Sequence, residues 1–252
     1  MKLSLSNGIF SKQTLDENIT AISRLGFSNL EFNMKSVEEN DEDSVYTAKK
    51  LINAHGLRCL TLHAASLHVK DEGEIPKAIY YVKVSADFAH ALLAPVMVVH
   101  SNVSRRLPEN LRQKFLKEIF GALVPYAKKL GVKLALENLS YASSSYGKNV
   151  CELEEIFGVI DDGDMGVTID FCHAEATGQT FQLLEKYKDR LCDVHMSNRA
   201  HKPFMEETPN LVAFLTKLRE YQYSGPLTLE LNQKCTPEEI QRTKAVLEKL
   251  LL

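Results

Sequence analysis

The stretch KKLGVKLALEN, Lys128–Asn138, holds the fold in miniature: the basic end of a helical segment, a glycine, a short apolar strand, and a polar tip. Gly131 sits where the helix must stop in a left-handed conformation, and Lys133–Asn138 then reads as a strand ending in Glu137 and Asn138. The same helix, glycine, strand order recurs around Gly26 before Asn29–Asn33 and around Gly56 before Arg58–His63. A recurring unit of this kind is a supersecondary repeat.

Working outward, the remaining candidate strands are Lys2–Ser6, Pro95–His100, Gly166–Asp170, Asp193–Ser197 and Pro226–Leu231. Helical periodicity predicts Leu15–Leu25, Asp43–Ala54, Ile75–Leu93, Pro108–Leu130, Val150–Ile160, Phe181–Lys188, Leu211–Tyr221 and Pro237–Leu252. Thr14 with Glu17, and Thr236 with Pro237 and Glu239, mark helix starts. Eight strands alternating with eight helices in 252 residues predict an α/β chain folded as one (β/α)8 TIM barrel, a single domain over residues 1–252. The strands read as near-continuous apolar runs, as expected where both faces are buried. A doubly wound sheet would carry a glycine-rich turn after the first strand, whereas SNGIFSKQ has one glycine.

Composition excludes several classes. The chain is 44% hydrophobic and 25% charged, without an apolar run of the ~20 residues that a membrane helix needs. The N-terminal stretch lacks a signal-peptide pattern, and five widely spaced cysteines without CxxC indicate neither a disulfide framework nor a thiolate zinc site. A cytoplasmic location is expected. A net charge of −3 leaves no basic surplus for a phosphate backbone, which argues for a small polar partner over nucleic acid.

Chemistry in such a barrel sits where strands end. Here the tips carry Glu31 and Asn33, His63, His100, Glu137 and Asn138, Asp170 with His173, His195, and Glu230. Any one of them alone reads as a hydrogen-bonded structural residue or a helix cap. Jointly, anions clustered in one buried mouth repel each other and lose solvation unless a cation compensates, so a bound metal is expected. Imidazole and carboxylate donors without thiolates suit Zn²⁺, Mn²⁺, Co²⁺ or Fe²⁺.

The order LHAAS (62–66), VVHSN (98–102), ALEN (135–138), IDFCHA (169–174), VHMSN (194–198) and LELN (229–232) resembles the xylose-isomerase-like TIM-barrel superfamily, which holds sugar phosphate isomerases and epimerases together with apurinic endonuclease family 2. The resemblance covers essentially the whole chain. It implies a divalent ion, Zn²⁺, Mn²⁺, Co²⁺ or Mg²⁺, held by Glu137, Asp170, His195 and Glu230, and an isomerase or epimerase reaction on a sugar or sugar phosphate through an enediolate. It leaves His63, His100 and His173 as catalytic candidates, beside His201 and the Glu206-Glu207 pair as further proton carriers, and Glu31, Asn138, Arg105, Arg199 and His201 as substrate contacts. Arg106 and Lys202 join Arg105 and Arg199 as candidate phosphate contacts.

Departures from the family pattern matter too. The ketose 3-epimerase branch has a second glutamate two residues beyond each metal-binding one, where this chain has Leu139 and Asn232. The endonuclease branch holds a second metal through positions matching His63, His100 and Glu137. Its third uses the match to His173 with an Asp-x-His element, and here that element is Arg199-Ala200-His201. The glycine-rich loop that follows in the isomerases is replaced by HKPFMEETPN (201–210). Two alternatives therefore stand beside the isomerase: a zinc-dependent phosphodiesterase of the apurinic endonuclease type, for which Tyr141 and Tyr146 could serve as DNA contacts, and a non-catalytic metabolite-binding barrel.

Overall fold

The computed structural model describes residues 1–37, 42–160 and 163–252. Eight parallel strands close into a barrel in chain order: β1 Lys2–Ser6, β2 Asn29–Asn33, β3 Arg58–His63, β4 Val96–Val99, β5 Lys133–Glu137, β6 Gly166–Asp170, β7 Leu191–Met196 and β8 Pro226–Leu229. Around them run α1 Leu15–Arg24, α2 Glu42–Ala54, α3 Ile75–Ala91, α4 Glu109–Lys129, α5 Val150–Ile160, α6 Phe171–Thr177, α7 Thr180–Tyr187, α8 Pro209–Glu220 and α9 Pro237–Leu251. The short α6 is absent from the periodicity reading. It spans under two turns and is started by Asp170, whose carboxylate accepts from the His173 N–H.

Local sequence accounts for the joints. Thr14 with Glu17 and Thr236 with Glu239 form reciprocal capping boxes. Gly26, Gly56 and Gly131 have φ of 76°, 63° and 71°, the left-handed stop the sequence called for.

The strands are not apolar on both faces. Leu5, Leu30, Phe32, Leu62, Met97, Leu136, Ile169, Val194 and Leu229 pack outward against the helices and are fully buried. Alternate residues face the lumen, and many are polar: Ser4, Ser6, Glu31, Thr61, Thr168, Asp193 and Thr228 are all buried. A barrel interior is ordinarily filled by Val, Ile and Leu, so this lumen is unusually hydrophilic.

Two register shifts set which residues face inward. Leu30 pairs with Cys59 but Glu31 with Thr61, and Val167 pairs with Leu191 but Thr168 with Asp193. One extra residue, Leu60 in β3 and Cys192 in β7, changes the phase of each strand just before its polar tip. Gly166 accommodates the second shift, since a Cβ there would lie 2.2 Å from Cys192 Sγ.

Candidate metal centre at the barrel mouth

Glu137, at the end of β5, is the hub. Its Oε2 lies 3.2 Å from His63 Nε2 and 3.1 Å from His100 Nε2. Its Oε1 lies 3.5 Å from His173 Nδ1 and 3.7 Å from His195 Nδ1. Glu230, just past β8, places Oε2 3.2 Å from His195 Nδ1. Asp170 ends β6, with Oδ1 taken by the His173 N–H at 2.7 Å and Oδ2 buried without a hydrogen-bond partner.

The far side of each ring reveals what the near side must do. His63 Nδ1 lies 3.1 Å from the Ala64 carbonyl, which can only accept, so Nδ1 carries a proton, and Nε2 faces the Glu137 carboxylate, a contact that a second proton or a cation must satisfy. His195 Nε2 lies 3.0 Å from Glu31 Oε2, which leaves Nδ1 aimed at Glu137 and Glu230 with no hydrogen bond. His173 Nδ1 meets the Asn138 carbonyl at 2.9 Å and His201 Nδ1 the Glu230 carbonyl at 3.1 Å, yet their two Nε2 atoms face each other at 3.1 Å. Lone pairs opposed in a buried site are stable only with a proton or a cation among them.

Among the described residues there are four such groups: His63, His100 and Glu137; Glu137, Asp170, His195 and Glu230; Asp170, His173 and His201; and, beneath them in the lumen, Glu31, Asp193 and His195. In each, one donor atom per residue lies within 4.8 Å of the others. These sets could hold divalent cations, and their imidazole and carboxylate donors fit Zn²⁺, Mn²⁺ or Co²⁺.

Electrostatics point the same way. Burial opposes the charge on His195, but Glu31, Glu230 and Glu137 hold its imidazolium well above the usual range. Burial likewise opposes His173, which Asp170 and Glu137 carry to about 10. Asp170 is pushed up to about 6 by burial, against the pull of His173 and with the push of Glu230 and Glu137. Glu137 is buried too, and the imidazoles of His195 and His100 bring it well below the carboxylate range. The cluster therefore gathers positive charge around its carboxylates.

The remaining sequence candidates separate into three kinds of position. Glu31 lies beneath His195, accepting from it and, at 3.1 Å, from Thr61 Oγ1. Asn138 exchanges hydrogen bonds with the backbone of Asp170 and so ties β5 to β6. Arg105 is paired with Glu152, and Glu207 with Lys249, both away from the cluster. Arg199 is exposed beside Tyr141 in a cavity of about 500 Å³ between the β5, β6 and β7 loops. Leu139 is buried, and Asn232 grips the loop after β7, its Nδ2 donating to the His201 carbonyl at 3.0 Å.

Sequence reading missed Asp193. It is fully buried two residues before His195, accepts from Thr228 Oγ1 at 3.1 Å, and sets Oδ2 3.2 Å from His195 Nε2, outside hydrogen-bond geometry. Period-two alternation from His195 was the signal that could have found it. Among the described residues, no helix is long and apolar enough to cross a membrane.

A family model described as the xylose isomerase-like TIM barrel matches residues 19–250. An uncharacterised protein of Methanocaldococcus jannaschii is 28% identical over 160 residues, 59% of this chain and 55% of that protein. A probable endonuclease 4 of Halothermothrix orenii is 35% identical over 79 residues, 31% of this chain and 27% of that one. The matches thus span about half and about a quarter of these relatives. Among solved structures, a D-tagatose 3-epimerase-like protein superposes with a TM-score of 0.84 at 22% identity, covering 100% of this chain and 97% of its own, a likeness of fold. With the family match running through all but the first strand's neighbourhood and the final two residues, the chain belongs to the xylose isomerase-like TIM-barrel family.

Proposed function

We propose that the chain is a divalent-metal-dependent isomerase or epimerase acting on a sugar or sugar phosphate. The observation that carries this reading is the convergence of Glu137, Asp170, His195 and Glu230 from successive strands, with His195 Nδ1 and Asp170 Oδ2 buried and unpartnered. A divalent ion held there supplies Lewis acidity, acidifying the carbon-bound hydrogen beside a sugar carbonyl and stabilising the enediolate. Glu31 fixes the His195 ring through Nε2 and keeps Nδ1 turned to the mouth. To His63 and His100, both on Glu137 Oε2, we assign the transfer of the proton from one carbon to the next. With Leu139 and Asn232 at the positions of the 3-epimerase glutamates, that transfer falls to the imidazoles. Likeness of fold to a D-tagatose 3-epimerase-like protein supports the reading.

The test is solvent exchange. Protein stripped of metal and reloaded with Mn²⁺, Co²⁺ or Zn²⁺ is incubated in D₂O with a panel of ketoses, aldoses and their phosphates, and carbon-bound deuterium is followed by NMR. Metal-dependent wash-in at the carbon next to the carbonyl is expected; its absence with every sugar overturns the assignment.

A second reading is favoured by the two flanking groups, His63, His100, Glu137 and Asp170, His173, His201, which exceed what a single ion requires. A zinc phosphodiesterase would use adjacent ions to activate water and stabilise the leaving oxygen. Two or more zincs per chain together with cleavage of abasic duplex DNA would replace the isomerase assignment by this one.

A further inference from the structure

A cavity of about 730 Å³ opens at the mouth between the loops after β1, β2, β7 and β8 and is bordered by Glu230 and His201 of the candidate metal centre. Four lysines line it, one from each loop: Lys12, Lys35, Lys202 and Lys234. All four are exposed, and among the described residues none is in an ion pair. Among the described residues the one acid of the lining is Glu230, which faces His195. In a chain of net charge −3, four lysines without an ion pair among the described residues thus border one cavity. Like charges gathered in a concavity repel one another and focus a positive field into it, a cost that an incoming anion relieves.

We propose that this cavity is a subsite for the terminal phosphate of a phosphorylated open-chain sugar whose other end lies at the metal centre. This rests on the isomerase or epimerase reading and narrows its substrate. Three lines converge on phosphate. The loops after strands 7 and 8, which carry Lys202 and Lys234, are where barrels of this architecture commonly bind phosphate. Lysines on four separate loops offer independent ammonium donors, and a phosphate monoester carries more charge and more acceptor oxygens to take them up than a carboxylate does. The shared border at Glu230 and His201 places the anion pocket and the reacting end of a sugar within one continuous mouth. Of the sequence candidates for this role, Lys202 lines the cavity, whereas Arg105 is occupied by Glu152 and Arg199 opens onto the neighbouring cavity with Tyr141.

The test measures binding of glucitol 6-phosphate, glucitol, gluconate and inorganic phosphate by calorimetry on chelator-treated protein, so that no metal contributes. Wild-type protein should bind glucitol 6-phosphate roughly tenfold or more tighter than glucitol, and the Lys202→Ser/Lys234→Ser double variant should lose roughly tenfold or more of that affinity. Lys49→Ser/Lys50→Ser on α2 controls for net charge and should bind as wild type. Raised salt should weaken the wild-type complex and leave the double variant nearly unaffected. Equal affinity for glucitol 6-phosphate and glucitol, unchanged binding in the double variant, or gluconate binding as tightly as the phosphate each overturns the proposal. So does displacement of glucitol 6-phosphate by a lower concentration of an abasic duplex, which assigns the lysines to nucleic acid. Failure here is distinct from failure of the reaction class. Proton exchange on neutral sugars that ignores the lysine variants overturns the subsite alone, whereas lysine-dependent phosphate binding with no exchange on any sugar upholds the subsite and overturns the isomerase.

Discussion

The two sides of the barrel mouth are built differently. Over β3, β4 and β5 the loops are stitched to each other: Val69 pairs with Val103 and Ser104 with Ser145, and the Tyr146 N–H donates to the Val103 carbonyl at 2.8 Å. Over β7, β8, β1 and β2 the backbone links among the described residues are fewer: Asn198 with Lys202 closes a tight turn, the Asn232 N–H donates to the His201 carbonyl at 2.8 Å, and an open cavity lies alongside them. The first side is a wall against which His63, His100 and Glu137 are held. The second is a port lined by positive charge. Backbone pairing across loops spends the hydrogen-bonding groups that would otherwise face water or ligand, so the side that must stay still is sealed and the side that must admit something is left open.

Four perturbations probe this contrast, in descending order of expected effect. Glu137→Gln removes the wall's hub carboxylate and should abolish stoichiometric divalent-metal binding while circular dichroism stays native; unchanged metal content by plasma emission would refute the ligand role. Next comes pH. In the metal-free protein His195 holds its proton well above the ordinary range and His173 up to about 10, so metal bound at His195 must displace a proton. A raised pKa makes that displacement easier as pH rises, and apparent affinity should climb about tenfold per pH unit between 6 and 8 for each proton released. Below about 6, where Asp170 also takes a proton, the climb should steepen. Competition titrations with a chelating dye would show a flat profile if the sites load without proton release.

Glu31→Gln acts one layer below the mouth. It weakens the acceptor that fixes the His195 ring, and metal affinity should fall about 10–100-fold with the number of sites unchanged. The smallest effect belongs to the port. Asn232→Ala deletes the side-chain bond to the His201 carbonyl, worth about 1 kcal/mol, and should lower Tm by about 2–4 °C with metal stoichiometry intact. If it instead empties the site occupied through Glu137, wall and port are one cooperative unit and the contrast collapses.

Much of the fold was readable from local chemistry. Helix stops at Gly26, Gly56 and Gly131, the capping boxes at Thr14 and Thr236, and strand tips ending in Glu137 and Asp170 depend on neighbouring residues only, and the structure reproduces them. Strand 7 illustrates the limit. Its predicted start at Asp193 falls two residues after the observed Leu191 because the extra residue Cys192 breaks the alternation that the eye follows. Glu31, grouped by sequence with substrate contacts, lies under His195 because closing the barrel brings residues 164 apart in sequence to 3.0 Å. Of the port's lysines the sequence singled out Lys202; Lys12, Lys35 and Lys234 read as ordinary loop lysines, and only closure of β8 onto β1 gathers all four around one space.

The pairing of Gly166 with Cys192 has a genetic consequence. Any side chain at residue 166 would collide with the Cys192 sulfur, and the extra residue at 192 is what turns Asp193 and His195 toward the lumen. The lumen-facing His195 thus depends on the smallness of a residue on the adjacent strand. A side chain at 166 requires the Cys192 sulfur to move or shrink and the Arg190 carbonyl, 3.1 Å from the added Cβ, to give slightly, so tolerance at the two codons should be coupled. A saturation library at both positions would display that dependence as viable pairs lying off the axes of the single mutants.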